Sequence, residues 1–314
     1  MDEKKVRDVV MIGAGPSALA AAIYTTREDI DTVLYEKGVV GGLAAITDMV
    51  DNYPGFPEGI EGMTLADQLQ KQAERFGAHI EYGDVTALRD EGEYRVVTVD
   101  GNEVTARAVL IATGSDYNKL NIPGEAEYYG RGVHYCATCD GAFYRDKNIV
   151  VVGGGNSGVQ EAIFLTRFAS HIDLLVRSTV KASEVLQRDL QKYVDDGRVT
   201  IHLQTSPTEI IADEDGKVTT VKAIKDGQTI DFATDGVFVF IGLKPNTQFL
   251  QGSNVELDEL GLVKTDHHLA TNVTGVYASG DVRSGATMQV ASAVGEGATA
   301  ALSIREFLDA QKTA

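Results

Sequence analysis

Residues 6–36 read VRDVVMIGAGPSALAAAIYTTREDIDTVLYE. The opening run, Val6–Ile12, is rich in β-branched residues and predicts a buried strand. Gly13-Ala14-Gly15-Pro16-Ser17-Ala18 follows as G-x-G-x-x-A, and the alanine-rich stretch from Pro16 to Arg27 predicts a helix. A second strand, Asp31–Glu36, ends on an acid. In such a β-α-β unit the glycines let backbone approach a pyrophosphate. The helix N-terminus offers it unpaired N–H groups and the positive end of a dipole. The motif alone is weak; the strand before, the helix after and the second strand give it weight.

The unit recurs. Strand Asn148–Val152 leads into Gly153-Gly154-Gly155-Asn156-Ser157-Gly158, a helix expected to reach Phe168, and strand His171–Val176. Gly153 stands 140 residues after Gly13. Each copy has a late apolar strand ending in glycine, Ala106–Gly114 (ARAVLIATG) and Thr234–Gly242 (TDGVFVFIG). Beyond Asn246 come a strand closing on Gly280-Asp281 and a helix expected over 288–308. Its small residues Ala291, Ala293, Gly295, Gly297 and Ala298 leave room for a close neighbour. The expected architecture is α/β, with two Rossmann-like three-layer dinucleotide-binding domains, the second inserted into the first. The first comprises 1–116 and 246–314, the second 117–245, with hinges near Gly114–Asp116 and Lys244–Asn246.

The residue ending the second strand selects the ribose. Glu36 lies 18 residues past Ala18, where a carboxylate accepts from a 2′-OH and repels a 2′-phosphate, so the first site suits FAD or NAD. The same count from Gly158 lands on Val176, followed by Arg177 and Lys181. No acid and two cations suit a 2′-phosphate, hence NADP. Two dinucleotide sites in one chain suggest hydride traffic from a nicotinamide to a flavin.

Composition narrows the class. With 28 basic against 46 acidic residues the net charge is −18, which argues against nucleic acid and anionic membrane surfaces as partners. Two cysteines in 314 residues exclude a secreted disulfide scaffold. Lys4, Lys5 and Arg7 before the apolar run Val9–Tyr24 imitate a signal peptide, but Gly13, Gly15 and Pro16 interrupt it. No apolar stretch reaches the roughly 18 residues needed to span a bilayer. A cytoplasmic protein is expected.

Both cysteines lie in Cys136-Ala137-Thr138-Cys139, followed by Asp140. A two-residue spacer lets the sulfurs close a disulfide and lowers the pKa of one thiol. Zinc would need further ligands, and His134 is the one nearby candidate. Buried inert thiols are a third reading. The redox dithiol is preferred because the pair precedes the second glycine loop in the same domain, and no metal site is expected. Asp140 reads as an acid that protonates a departing thiolate, or as a helix cap.

Taken together, these residues resemble the low-molecular-weight bacterial-type thioredoxin reductases, class II of the pyridine nucleotide-disulfide oxidoreductases, over essentially the whole chain. The most specific element is Arg131–Gly141, RGVHYCATCDG. The Gly13 loop, Glu36-Lys37-Gly38 with Gly41-Gly42, Asp51–Phe56 (DNYPGF), Ala112-Thr113-Gly114, the Gly153 loop, and Gly280-Asp281 with Gln289-Val290 support it. The resemblance implies FAD in the first unit, NADPH in the second, and a homodimer. Electrons would pass from NADPH through the flavin to the cysteine pair and on to thioredoxin. By the same resemblance Cys139 would face the flavin, Cys136 would attack the partner's disulfide, and Asp140 would serve as acid–base. Asp281 would hold the ribityl chain and Gln289 and Val290 the ring, with Asn52 nearby. The full cofactor set in the first unit is Gly13, Gly15, Pro16, Ser17, Glu36, Gly42, Leu43, Asn52, Val85, Thr113, Gly114, Asp281, Gln289 and Val290. In the second it is Gly153, Gly155, Asn156, Ser157, Arg177, Lys181, Ile241 and Gly242.

Three positions depart from the family. Its His-Arg-Arg segment with a later Arg is here Val176-Arg177-Ser178 with Lys181, which opens NADH or mixed coenzyme use. Leu43-Ala44 follows the glycine pair where Gln is common, and Ala142 replaces an aromatic, leaving Phe143. Nicotinamide, disulfide and partner must take turns, which predicts rotation of 117–245 about its hinges. Arg131, Arg145 and Lys147 flank the cysteines as docking cations. The alternative function is an NADH-preferring or mixed-coenzyme flavin reductase of another small thioredoxin-like disulfide protein. Flavin enzymes serving ferredoxin or flavodoxin lack the cysteine pair. A peroxiredoxin-system reductase usually carries an extra thioredoxin-like domain, for which this length leaves no space. A nucleotide sensor with a structural disulfide completes the rivals.

Overall fold

A computed structural model describes residues 6–47 and 49–313. The chain divides into two compact units: Tyr117–Leu243, and the remainder before Tyr117 and from Lys244 onward.

In the flanking unit the strand Arg7–Ile12 sits at the centre of the sheet, with Val9–Ile12 buried on both faces. That explains its unbroken apolar run, since a strand covered on both sides has no polar face to alternate. Thr32–Glu36 pairs with it in parallel on one side and Asn102–Ile111 on the other. His79–Tyr82 extends the first edge. Val276–Ala278, from the end of the chain, pairs in parallel with Val109–Ile111. Tyr94–Val99 and Val85–Glu91 add an antiparallel meander to the first half of Asn102–Ile111.

The helix Pro16–Thr26 is alanine-rich because it is covered almost all round. The helices Gly62–Arg75 and Val290–Thr313 both pack on it. A Cβ at Gly297 would sit 2.1 Å from the Ser17 carbonyl oxygen. The close neighbour of the small-residue helix is therefore the first helix itself. That last helix begins at Val290 rather than Met288, because Met288 takes φ +56°, outside right-handed helical geometry. Gln289 instead accepts the first turn's bond, from Ala293 N–H at 2.9 Å.

The other unit holds a five-stranded parallel sheet, ordered Val133–His134, Gly236–Val239, Asn148–Val152, His171–Val176, Val199–Leu203. The helix Asn156–Leu165 follows the central strand and stops three residues short of Phe168. Thr166–Phe168 closes as turns, with Thr166 Oγ1 bonded to the Ile163 carbonyl at 2.6 Å. The helix Glu184–Asp195 starts from Ser183, whose hydroxyl accepts from Leu186 N–H. An antiparallel sheet of Thr205–Ala212, Val218–Lys225 and Gln228–Ala233 completes the unit. Each unit buries its own apolar clusters on both faces of its main sheet.

Candidate functional site

Register explains how distant residues meet. In the flanking unit Ile12 pairs with Tyr35 and Ile111, and Ile111 with Ala278. The next residues are Gly13, Glu36, Ala112 and Ser279, so all four leave the carboxyl edge of one parallel sheet. Open α/β sheets bind ligands at that edge.

Gly13 takes φ +98°, and a Cβ there would lie 2.6 Å from the Ala112 carbonyl oxygen. No other residue fits both demands. Gly15 caps the helix without a side-chain bond, Pro16 occupies its first turn, and no acid stands there to compete with a phosphate. Gly42 enters the neighbouring turn, where a Cβ would come 3.9 Å from the Gly15 Cα, with Leu43 next. Glu36 is fixed rather than free. Its two oxygens accept from the Ala14 and Gly38 N–H groups, at 2.8 and 2.7 Å. It lines a cleft of about 310 Å³ together with Gly13, Val85 and Thr113. Sequence reading misses Asn246, Gln248 and Phe249 in the same wall. Asn246 is tied to Thr113 by reciprocal bonds of 2.7 and 3.1 Å, and it accompanies Gly114, whose carbonyl accepts its N–H at 3.0 Å.

The remaining predicted residues of this unit lie outside that cleft lining. Asn52 Nδ2 donates to Gln289 Oε1 at 3.1 Å, next to Val290 at the start of the last helix. Ser17 and Ser279 hydroxyls share a 2.6 Å bond beside Asp281. Burial pushes the Asp281 carboxyl up to about 6, and the Glu296 charge adds to the rise. Glu296 is itself held by Arg283, at 2.6 and 3.0 Å, and by Gly280 N–H at 2.8 Å. Among the described residues no donor bonds the Asp281 carboxylate. A ligand hydroxyl would satisfy it. Glycine cradle, fixed acid, cleft and a carboxylate open to a ligand hydroxyl together fit a dinucleotide bearing a polyol.

In the other unit Gly153 takes φ +147°, and a Cβ would meet the Phe240 carbonyl oxygen at 2.3 Å. Gly155, Asn156 and Ser157 are exposed at the helix start, and Asn156 Oδ1 accepts from Ser183 N–H at 2.8 Å. Val176 is buried against Gly154, where its Cγ1 would lie 2.5 Å from an added Cβ. Arg177 and Lys181 are exposed, and neither has an ion pair among the described residues. Lys181 N–H reaches the Gly154 carbonyl at 2.7 Å, which ties its backbone to the loop. Ile241 is exposed, and Gly242 accepts from Asn118 N–H at 3.0 Å. These residues fit a second dinucleotide with an extra anionic group.

Val133 and Val150 both pair with Val237, from its two sides. Cys136 and Gly153 each follow three residues later, so cysteines and loop leave one edge of the sheet. Cys136 and Cys139 are bonded, with Cα atoms 5.3 Å apart. Both are half-buried, and Cys139 N–H donates to Cys136 Sγ at 3.1 Å. Cys136, not Asp140, caps the short turn Ala137–Asp140, and Asp140 makes no capping bond. Asp140 Oδ2 instead lies 3.2 Å from His134 Nδ1, and His134 Nε2 lies 2.7 Å from Tyr144 Oη. Sequence reading offers His134 only as a zinc ligand. Phe143, four residues after Cys139, is half exposed. Arg131 donates to the Glu127 carbonyl, while Arg145 and Lys147 lie over the Phe168 and Tyr144 rings.

Comparison with known proteins finds relatives along the whole chain. Residues 7–297 match the family model described as pyridine nucleotide-disulphide oxidoreductase. The chain is 40% identical over 312 residues to a thioredoxin reductase of Bacillus subtilis, covering 98% of this chain and 97% of that protein. Identity to the thioredoxin reductase of Treponema pallidum is 35%, over 96% and 97% of the two chains. The crystal structure of thioredoxin reductase from Streptococcus pyogenes superposes with a TM-score of 0.92 at 36% identity, covering 98% of this chain and all of that one.

Proposed function

The chain belongs to the pyridine nucleotide-disulphide oxidoreductase family, and from that membership we propose that it is a thioredoxin-disulfide reductase. As a member it is an oxidoreductase that binds a flavin and a pyridine nucleotide. We assign FAD to 1–116 with 246–314 and NADPH to 117–245, with oxidised thioredoxin as the disulfide substrate. A cytoplasmic homodimer is part of the same reading. No helix among the described residues is long and apolar enough to cross a membrane.

The observation that carries the reading is the bonded Cys136–Cys139 pair at the sheet edge that also bears the second glycine loop. The flavin, when bound, supplies the two-electron step between nicotinamide and sulfur. The chain's residues do the rest. Glu36 orients a ribose, the two glycine loops position phosphates, and Asp281 accepts from the polyol. Cys136 exchanges with the substrate, and Asp140 holds the proton that the departing sulfur needs. The direct test is reduction of oxidised thioredoxin by the FAD-loaded protein with NADPH, compared with NADH.

Coenzyme choice rests on Arg177 and Lys181. Replacing both with Gln should raise the KM for NADPH about tenfold and leave that for NADH unchanged, because the cations meet only the 2′-phosphate. If neither constant moves, the assignment is wrong and the NADH-preferring or mixed-coenzyme alternative takes its place.

A further inference from the structure

The Asp140 carboxyl does not stand alone. His134 is 5% exposed, and both of its ring nitrogens are engaged, Nδ1 toward Asp140 at 3.2 Å and Nε2 toward Tyr144 Oη at 2.7 Å. The ring is walled by Phe238, at 5.1 Å between centroids, and by Tyr144, edge-on at 5.3 Å. Gly236 confines Tyr144 in turn, since a Cβ there would lie 2.2 Å from its ring. His134 comes from the strand end before the cysteines, Asp140 from the turn that carries them, and Tyr144 from the turn after. Three successive elements thus converge on one imidazole.

We propose that His134 is a positioning residue for disulfide exchange, its Nδ1 facing the Asp140 carboxylate at ion-pair distance while Tyr144 O–H fixes the opposite nitrogen as acceptor. The proposal rests on the reading of Cys136 and Cys139 as the exchanging pair. The proton placement follows from surroundings. Burial raises the pKa of the Tyr144 phenol, with the Asp140 and Asp235 charges adding to it. The Asp140 carboxylate only accepts, so the Nδ1 that faces it carries the proton, and the neutral Tyr144 hydroxyl, with no other acceptor among the described residues, donates to Nε2. The Tyr144 hydroxyl makes no other hydrogen bond among the described residues, and Lys147 lies over its ring at 5.2 Å. These contacts end inside the unit, so they orient a carboxylate and are not a wire to solvent.

The exchange balances within these groups and the partner. In the dithiol form, Asp140 takes the proton of Cys136. The thiolate attacks one sulfur of the partner's disulfide, forming a mixed disulfide and breaking the partner's S–S bond. The departing partner thiolate takes the proton from Asp140. The Asp140 carboxylate then removes the proton of Cys139, which attacks Cys136 Sγ and restores the Cys136–Cys139 bond. The second partner thiolate leaves and takes that proton. Two electrons and two protons pass from enzyme to partner, and Asp140 carries both protons. A carboxylate that accepts and delivers twice in one cycle needs a fixed orientation, and His134 supplies it.

The test separates the two nitrogens in the FAD-loaded protein. Asn places its amide N–H where Nδ1 stands, whereas Gln places its amide at the Nε2 position. His134→Gln should keep the Tyr144 bond and the Tm yet lower kcat for thioredoxin about tenfold, with KM unchanged. His134→Asn should orphan the Tyr144 hydroxyl and lower the Tm by about 2–4 °C, yet hold kcat within about threefold. In an Asp140→Asn background, His134→Gln should add no further loss. Rates that follow stability across the two variants would overturn the proposal, as would full activity of His134→Gln. An unmutated protein that reduces no thioredoxin would overturn the function itself, and the proposal with it.

Discussion

Cys139→Ser should lower thioredoxin reduction by more than about a thousandfold while NADPH still reduces the bound flavin within about twofold of the original rate. The chain contains no cysteine besides Cys136 and Cys139, so no second dithiol can take over. The substitution exchanges one atom at a half-buried turn and leaves both glycine loops as they are. Cys136 would remain able to attack a partner's disulfide, but nothing could resolve the mixed disulfide. A partner trapped on Cys136 and released by added thiol is the expected signature, visible by mass. The outcome separates three functions at once. A nucleotide sensor with a structural disulfide would lose only stability. An electron donor to ferredoxin or flavodoxin would keep its turnover with one-electron acceptors. Sustained thioredoxin reduction by the Ser variant would remove the cysteine pair from the mechanism.

Both glycine loops are legible in the sequence because close backbone approach leaves a compositional mark. Gly13 and Gly153 sit where a Cβ would strike a carbonyl oxygen, and only one residue type survives there. Glu36 is legible by counting, since strand and helix have fixed rises and the acid must end the second strand. The cleft wall of Asn246, Gln248 and Phe249 is not legible. It returns to the first unit after 127 residues of the other (Tyr117–Leu243), and it carries no motif, only pairing between Asn246 and Thr113. His134 shows the same limit at short range. Its spacing to the cysteines suggests a ligand set, but its role depends on Tyr144, which a short 3₁₀ turn brings back to the imidazole. Val176 is a third case. The missing acid is readable as coenzyme preference, whereas the packing of Val176 against Gly154 is visible only once the loop has a shape.

Asp281→Asn should stabilise the cofactor-free protein above pH 6 and weaken FAD binding by about ten- to a hundredfold, two effects of opposite sign from one substitution. Burial first, and the Glu296 charge second, hold this carboxyl at about 6 in the folded chain, against 3.8 for an ordinary aspartate. Between those values the folded chain keeps a proton that the unfolded chain has released. Its stabilising contribution is therefore present below about pH 4 and lost as pH rises toward 6. At about 1.4 kcal/mol per unit, the loss is at most about 3 kcal/mol. Glu296 cannot retreat to relieve it, because Arg283 and Gly280 N–H hold both of its oxygens. Asn carries no charge, so the variant should lack this part of the pH-dependent loss and be more stable than the original beyond the window. A polyol hydroxyl, in contrast, bonds a carboxylate more strongly than an amide, and that difference appears as affinity. Thermal melts of the cofactor-free protein at about pH 4.5 and 7.5, with FAD titrations at the higher pH, read both quantities. A variant that is less stable at the higher pH, or that binds FAD as tightly as the original, would show that Asp281 is structural and that the polyol is held elsewhere.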